Sequence, residues 1–443
     1  MIKALIKTYH SKLNAPTSPY LLGAFRVLFA CAAIYSALRF LLKGWVNELY
    51  ILPQHHFHFY GFHWVQLPSN PLWVYVLFGL LILSAVGLAT GRFYKVFSLA
   101  YFLLFTYFEL IDKTYYLNHY YFISLMAFAF IFLPMNKALV LGKNKPEFVP
   151  FIYIVLLRFL VGGVYFYAGI AKINADWLAG EPLNTWFNAF QYLPIVGDTI
   201  GHSNTAVFSA YLAMIFDISL PFLLCFKKTR TLAYIAALIF HCLTSLMFPI
   251  GVFPLIMSLC ALVFFPAPVW EKRLIQLNVI TKKAFQTSTL KGHNFRKVAL
   301  LALLICHFIL PWRYLLYPGN VMWHEQGFRF SWRVMLMEKN GYTELNVITP
   351  SNKIYLVDNS KYLTPLQVKM MSTQPDMILE YSQIVAQDFE KRGFEKFKIE
   401  ADSWVSLNGR KPFRMIQNNV DLRTQKSGFA TKTWITHWHD QAL

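Results

Sequence analysis

Charge is what the chain has least of. Asp, Glu, Lys and Arg together make up 14% of its 443 residues, where soluble globular domains carry roughly 25%. Acid is scarcer than base, with 22 Asp+Glu against 41 Lys+Arg and a formal net charge of +19. So little charge excludes an ordinary water-soluble fold for most of the length. Cysteine is also sparse. Cys31, Cys225, Cys242, Cys260 and Cys306 all stand in apolar stretches, and no two have metal-ligand spacing. That pattern excludes a disulfide scaffold or a Cys-based zinc site and leaves cysteine as a small apolar side chain. Neither an internal repeat nor a low-complexity segment is present, which removes the usual sequence mark of a repeat-built transporter.

Apolar residues are abundant, at 56%, with 18% aromatic. A helix needs roughly 20 apolar residues to cross a bilayer. Nine stretches qualify as candidate spans: 20–43, 71–90, 93–111, 118–134, 149–173, 204–226, 229–247, 250–266 and 297–316. The fourth and eighth are short, and the turn Phe248-Pro249-Ile250-Gly251 separates the seventh from the eighth. The basic residues test this count. Residues 1–316 hold 25 Lys+Arg and 9 Asp+Glu, whereas residues 317–443 hold 16 and 13. Under nine spans, 18 of those 25 fall on one side, from Lys3, Lys7 and Lys12 to the run Lys272, Arg273, Lys282, Lys283, Lys291, Arg296 and Lys297. Cytoplasmic loops are rich in Lys and Arg, so the excess reports topology and not nucleic-acid binding. The N-terminus is then cytoplasmic. The apolar run continues past the small residues at 30–33, which predicts a retained first span and not a cleaved signal peptide.

The expected architecture is an α-helical polytopic membrane domain of about nine transmembrane helices, residues 1–316, with a C-terminal α+β soluble domain, residues 317–443, on the outer side. Within the latter, 342–357 alternates around a Pro-Ser-Asn turn, 363–392 holds two helical patterns, and 394–408 reads as strands ending at Asn408-Gly409. The stretch 267–295 reads as a basic amphipathic helix on the inner membrane surface or as a solvated loop.

Ionisable side chains inside spans are costly and mark function by default. His119, Lys172, His241 and Glu109 fall toward the outer ends of their spans, near the loop 44–70 with His55, His56, His58 and His63. Arg26 and Arg158 lie nearer the inner side and read as snorkelling or structural. Asp217 is mid-span and needs a partner that the sequence does not name. Tyr165, Ala168 and Gly169 share a helix face with Lys172, leaving space beneath the amine for a neighbouring helix or a ligand. Lys172 itself reads either as an anchor at a span end or, if desolvated, as a neutral amine able to act as a general base. His119 reads as an interfacial histidine or a proton donor. His55-His56-x-His58 resembles metal spacing, but without nearby Cys, Asp or Glu in the sequence it does not make a metal site.

At these residues a family becomes recognisable. Tyr167-Ala168-Gly169-Ile170-Ala171-Lys172-Ile173-Asn174-Ala175-Asp176-Trp177 resembles the core motif of vitamin K-dependent γ-glutamyl carboxylases. Asn118-His119-Tyr120-Tyr121 is similar to that family's Asn-His motif. Phe240-His241-Cys242-Leu243 with Phe248-Pro249-Ile250-Gly251-Val252-Phe253-Pro254 is similar to its His and Ile-Gly-x-Phe-Pro block. Phe330-Ser331-Trp332-Arg333-Val334-Met335-Leu336 and Trp404-Val405-Ser406-Leu407-Asn408-Gly409-Arg410 resemble blocks of short bacterial-type members with an HTTM-type membrane domain. The blocks stand in the family's order along nearly the whole chain.

The resemblance implies an enzyme that couples oxidation of reduced vitamin K to its epoxide with carboxylation of protein glutamate. It implies Lys172 as the base that deprotonates the quinol and His119 as a proton donor or stabiliser on the glutamate side. It implies His241, Tyr165, Asp176, Trp177, Trp332 and Arg333 as substrate-binding residues. The cosubstrates would be a phylloquinol or menaquinol, dioxygen and carbon dioxide or bicarbonate, with no metal. The partners would be the bilayer and a glutamate-containing protein, with no nucleic acid. Vertebrate members have two adjacent lysines in the core motif, and the first is Ala171 here. They are also far longer, so their propeptide recognition is not carried over. Two other readings fit the residues: a quinol epoxidase that carboxylates nothing, and a non-catalytic quinone- or lipid-binding or transport protein.

Overall fold

The structure, a computed structural model, describes residues 11–142, 145–194, 197–281, 284–286 and 293–438. Lys3, Lys7, Lys143, Lys282, Lys283 and Lys291 lie outside the described residues.

The first part of the chain is a helical bundle. Its long helices are α1 (Tyr20–Leu42), α2 (Pro71–Thr90), α3 (Tyr94–Ile111), α4 (Asn118–Phe132), α5 (Ile152–Ala171), α6 (Ser203–Cys225) and α7 (Arg230–Met247). They are followed by α8 (Phe253–Ala261), α9 (Ala267–Gln276) and α10 (His293–Ile309), the last continued by a 3-10 turn to Leu316. Seven helices among the described residues are long and apolar enough to cross a membrane: α1, α2, α3, α5, α6, α7 and α10 with its extension. The other two expected spans differ for a local reason. The sequence from Asn118 is helical only to Phe132, because Pro134 follows and disfavours helical backbone before it. α8 with its 3-10 continuation reaches only Phe264 before Pro266, and α9 leaves at 108° to it. α9 accounts for part of the stretch 267–295 that reads as helix or loop.

The ends of these helices follow local chemistry. Asn70 accepts a hydrogen bond from Leu72 N at 2.9 Å, Pro71 starts α2, and Gly91 ends it at φ 69°, a left-handed stop that glycine adopts freely. Arg26, fully buried, donates to the carbonyls of Leu88, Ala89, Met135 and Leu139. It therefore satisfies acceptors at the end of α2 and in the segment that follows α4. Arg158 does the same for Val263 O at 3.0 Å and Phe264 O at 3.1 Å.

The C-terminal part is a four-stranded antiparallel sheet in the order β4-β3-β5-β6, where β3 is Lys339–Ile348, β4 Ile354–Leu356, β5 Lys398–Leu407 and β6 Phe413–Arg414. (β1, Pro16–Thr17, and β2, Val149–Pro150, form a small pair in the bundle.) β3 and β5 pair over ten residues, Lys339 with Leu407 through Ile348 with Lys398. Burial alternates strictly along β5, as a sheet covered on one face requires. Two helices cover it. α11 (Pro365–Met371) starts in a capping box between Thr364 and Gln367, and α12 (Pro375–Lys391) is buried on all sides from Met377 to Ser382 and then on one face at Val385, Ala386 and Phe389. The apolar core of this part does not stop at the sheet. It runs on through Trp177, Leu183, Phe187, Ala206 and Ala210 of the bundle, so the two parts share buried surface above α5.

Candidate active site

α5 carries Arg158 as its single charge and is otherwise without one until Lys172, which forms its C-terminal cap. Asn174 then turns the chain. Its amide donates to Ala171 O at 3.0 Å and its carbonyl oxygen accepts from Trp177 N at 3.0 Å. That turn folds the short helix Ala175–Leu178 back over the lysine, with Nζ 5.1 Å from the Trp177 ring centre. Trp177 is fixed by its own Nε1, which donates to Ala210 O at 2.8 Å. Lys172 is buried and donates from Nζ to Asp217 Oδ2 at 2.8 Å and Ala168 O at 3.2 Å. Asp217 thus finds its partner. Gly169 is the reason the two meet: a Cβ there would lie 2.5 Å from Ile218 Cγ1 and 2.7 Å from Ile218 N. Only glycine lets α6 approach α5 this closely. The small residues beneath the amine therefore divide their work, Gly169 admitting α6 and Ala168 lining open space.

That space is a cavity of about 460 Å³, walled by aliphatic and aromatic side chains, with Lys172, Asp217 and His241 among its few polar groups. Its size is that of a small-molecule site. Trp177, Leu183, Trp186 and Phe187 roof it. Leu212, Ile239 and Leu243 also line it, yet are 57%, 55% and 54% exposed. The cavity therefore opens sideways between α6 and α7, on a surface that only lipid suits. His241 and Tyr165 face each other inside, Tyr165 Oη 2.8 Å from His241 Nε2, while His241 Nδ1 is buried without a hydrogen-bond partner.

His119 lies elsewhere. It does not line this cavity. The Phe253 ring separates its surroundings from those of His241, with centroids 5.7 Å from His119 and 6.1 Å from His241. A second cavity, of about 550 Å³, is lined by Tyr35, Arg39, Ser245, the segment from Phe248 to Val252, Pro254 and Leu255. Phe248 and Ile250 line both cavities, so the turn after α7 is the wall between them.

The other expected site residues sit at the junction of the two parts. Asp176, one residue before Trp177, points away from the cavity into a buried clamp. Arg410 Nη1 and Nη2 donate to its two oxygens at 2.9 and 2.6 Å, and Asn408 Nδ2 donates at 2.7 Å. Trp332 belongs to the bundle core, stacked on Tyr121 at 5.0 Å and against His307 at 5.2 Å. Arg333 is buried over the Tyr314 ring at 4.1 Å. Neither lines the cavity, but the next two residues, Val334 and Met335, do. The loop that carries them has Glu325, Phe330, Trp332 and Met335 all at positive φ, a concentration of strained backbone that persists only where surroundings over-determine it.

The loop 44–70 meets α12 instead of Lys172. His58 N donates to Glu380 Oε1 at 2.7 Å, and Lys113 Nζ bridges Glu380 Oε2 at 2.7 Å and Asp376 Oδ2 at 3.1 Å. Arg329 pairs with Asp376 at 2.8 Å. Burial would raise the Asp376 carboxyl, but Arg329 and Lys113 outweigh it and hold it well below the usual carboxylate range. The Glu380 side chain raises the His58 imidazole above its ordinary value. His58, His63 and Glu380 bring three ligand atoms within 4.8 Å of one another. This is the one group of described residues with spacing for a cation, although Lys113 already occupies one Glu380 oxygen.

Sequence reasoning did not single out Val334, Met335, Phe253 or Arg39. Asp217 was visible as an acid in an apolar span, but nothing in the sequence joins it to a lysine 45 residues away.

Two family models match the chain. One, described as HTTM domain, covers residues 14–270, and the other, described as vitamin K-dependent gamma-carboxylase, lumenal domain, covers residues 292–441. No solved structure matches it.

Proposed function

The chain belongs to the vitamin K-dependent gamma-carboxylase family, and on that premise we propose that it couples epoxidation of reduced vitamin K to carboxylation of protein glutamate, giving γ-carboxyglutamate. The observation that carries this reading is the Lys172 amine, buried at the edge of an apolar cavity that opens toward lipid.

The cavity suits a prenylated quinol in size, polarity and route of entry. Leu212, Ile239 and Leu243 would pass it in from the bilayer, and Trp177, Trp186 and Phe187 would cover its ring. When bound, the quinol reacts with dioxygen and so supplies a base strong enough to remove a glutamate γ-proton. Lys172 Nζ takes the quinol hydroxyl proton, for which it must be uncharged. A buried Lys–Asp pair can place its shared proton on the carboxyl, so Asp217, 2.8 Å away, is the group that frees the amine. Tyr165 and His241 orient the ring from the opposite wall through their 2.8 Å contact. The aromatic roof excludes water, which protects a carbanion from reprotonation. His119, next to the Phe253 ring that also lines the cavity, acts on the glutamate side. Asp176, Trp332 and Arg333 act by position, holding the roof and the Val334–Met335 segment in place.

The same reading sets the topology. Residues 1–316 form the membrane part with a cytoplasmic N-terminus, and residues 317–443 lie on the outer side. Quinol then arrives from the bilayer and glutamyl protein from outside. Dioxygen and carbon dioxide are the other reactants.

Purified protein in nanodiscs, given reduced vitamin K, labelled bicarbonate and a capped Glu tripeptide, is expected to form epoxide and fix label into the peptide. Epoxide without fixed label would replace this reading with a quinol epoxidase. Bound quinone with no turnover would replace it with a binding or transport protein.

A further inference from the structure

The loop 44–70 carries four histidines, and the fold engages two of them elsewhere. His56 Nδ1 is 3.1 Å from Asp112 Oδ2, and the His55 ring stacks on Tyr362. His58 and His63 remain. A tight turn brings these two together. Phe62 N donates to Phe59 O at 2.9 Å, and Gly61 takes the left-handed conformation at φ 86°, which glycine adopts without steric cost. The chain doubles back there, and the two imidazole rings come to lie with centroids 5.7 Å apart.

The carboxylate that meets them is 322 residues away in the chain, which is why the sequence around the histidines holds no ligand set. Glu380, on α12, is buried. His58 N donates to its Oε1 at 2.7 Å, and His58 Nδ1 lies 3.7 Å from the same oxygen. Its Oε2 is held by Lys113 at 2.7 Å, and Lys113 is balanced in turn by Asp376 at 3.1 Å. Outer contacts of this kind orient a carboxylate as a ligand: the lysine fixes one oxygen and leaves the other toward the histidines. The three ligand atoms lie within 4.8 Å of one another. A tetrahedral Zn²⁺ with bonds of about 2.0–2.2 Å sets its ligand atoms roughly 3.4 Å apart. The 3.7 Å pair is already near that spacing. His63 is exposed, so rotation of its side chain closes the remainder. The three residues border a cavity of about 700 Å³, together with Gln66 and Gln383.

We propose that His58, His63 and Glu380 bind one divalent transition-metal ion of the Zn²⁺ class, with a fourth position open to water from the cavity. Two imidazoles and one carboxylate are a donor set of open zinc sites. Imidazole nitrogen suits Zn²⁺ and not Ca²⁺ or Mg²⁺, which take oxygen ligands. None of the three residues lines the Lys172 cavity, so the ion stands outside the quinol chemistry and does not rest on the carboxylase reading. Its ligands come from both parts of the chain, two from a loop of the bundle and one from α12 of the C-terminal part. The ion therefore fastens the C-terminal part to the bundle and makes that docking depend on metal.

The test is metal binding by purified full-length protein in detergent, made without a polyhistidine tag, stripped with a chelator and titrated with Zn²⁺ in competition with a chromophoric chelator. Wild type is expected to bind one equivalent. His63→Ala is expected to weaken binding by more than the about 10- to 100-fold that loss of a supporting partner costs. Because His63 is exposed, this variant keeps its fold. Glu380→Gln is expected to weaken binding likewise; should it not fold, His63→Ala decides alone. His55→Ala, in the same loop and cavity, is expected to bind as wild type does. Absence of a tight equivalent in wild type overturns the proposal. So does equal affinity in wild type and His63→Ala, which is what an adventitious ion only would give, and so does a loss in His55→Ala as large as in His63→Ala. Hydrogen exchange reads the fastening. Zn²⁺ added to stripped wild type is expected to slow exchange in residues 56–64 and in α12, and to leave His63→Ala unchanged. One bound equivalent with no slowing in wild type would overturn the fastening role.

Discussion

At the scale of single residues, the proposed chemistry depends on the contact between Lys172 and Asp217. A lysine at a span end is ordinarily an anchor whose ammonium reaches water. Lys172 cannot do so, because Trp177 covers it and Asp217 holds it at 2.8 Å. Asp217→Asn keeps the shape and removes the proton acceptor. Epoxide formation should fall by about 10²- to 10⁴-fold in kcat, the usual contribution of a positioned acid or base. KM for quinol should change little, since the apolar walls are untouched. An unchanged kcat, read by epoxide chromatography, would reduce Asp217 to a counter-ion. The lysine and the aspartate were each conspicuous in the sequence as charges in apolar runs. Their pairing was not, since it depends on how two helices cross.

At the scale of elements, that crossing depends on Gly169. Its absent Cβ would meet backbone as well as side chain of α6, at 2.7 Å from Ile218 N, so no rotamer change relieves a substitution. Gly169→Leu should push α6 outward and part Asp217 from Lys172. Even Gly169→Ala should cost about 1–3 kcal/mol as overpacking, seen as a lower thermal midpoint in detergent. A midpoint equal to wild type would contradict the close approach. Helix positions were legible because bilayer-length apolar runs leave a strong signal: the stretch 71–90 matches α2 end for end, and 204–226 is displaced from α6 by one residue. Where the expected ends fail, proline intervenes, at Pro134 and Pro266. The hairpin of β3 and β4 and the pair of helices after it were legible from alternation and from two helical patterns. The path of the loop 325–336 was not. Its non-glycine positive-φ residues are Phe, Trp, Met and Glu, which carry no turn signature, so the family-like block marked the segment but placed Trp332 and Arg333, and not Val334 and Met335, at the site.

At the scale of the whole molecule, the C-terminal part is fastened to the bundle by two groups of ion pairs. One is the Asp176–Arg410 pair, buried on both sides. Arg410→Ala leaves the Asp176 carboxylate facing Asn408 alone, and breaking such a pair costs about 3–5 kcal/mol. The variant should show faster limited proteolysis of residues 175–190 together with weaker quinol binding. Proteolysis at the wild-type rate would show that the clamp is dispensable. The other clamp is the Lys113–Asp376–Glu380–His58 cluster, and its pH dependence has a definite sign. Asp376 is depressed from 3.8, so its contribution is present above that value and fades as pH falls below it. His58 is raised from 6.5, so its contribution is full below that value and fades as pH rises through the folded one. Hydrogen-exchange protection in the loop 44–70, relative to the intrinsic exchange rate at each pH, should therefore be greatest between these values and fall toward pH about 9. Equal protection at pH about 6 and about 9 would refute the His58 contact. The Asp176 clamp lies next to Trp177 in the roof over Lys172, and the central claim is that this covered amine starts the reaction. Epoxide formation from reduced vitamin K by wild type and Lys172→Ala, side by side in nanodiscs, tests it most directly. Epoxide from wild type and none above background from Lys172→Ala is the predicted result; epoxide at the wild-type rate from Lys172→Ala would contradict it.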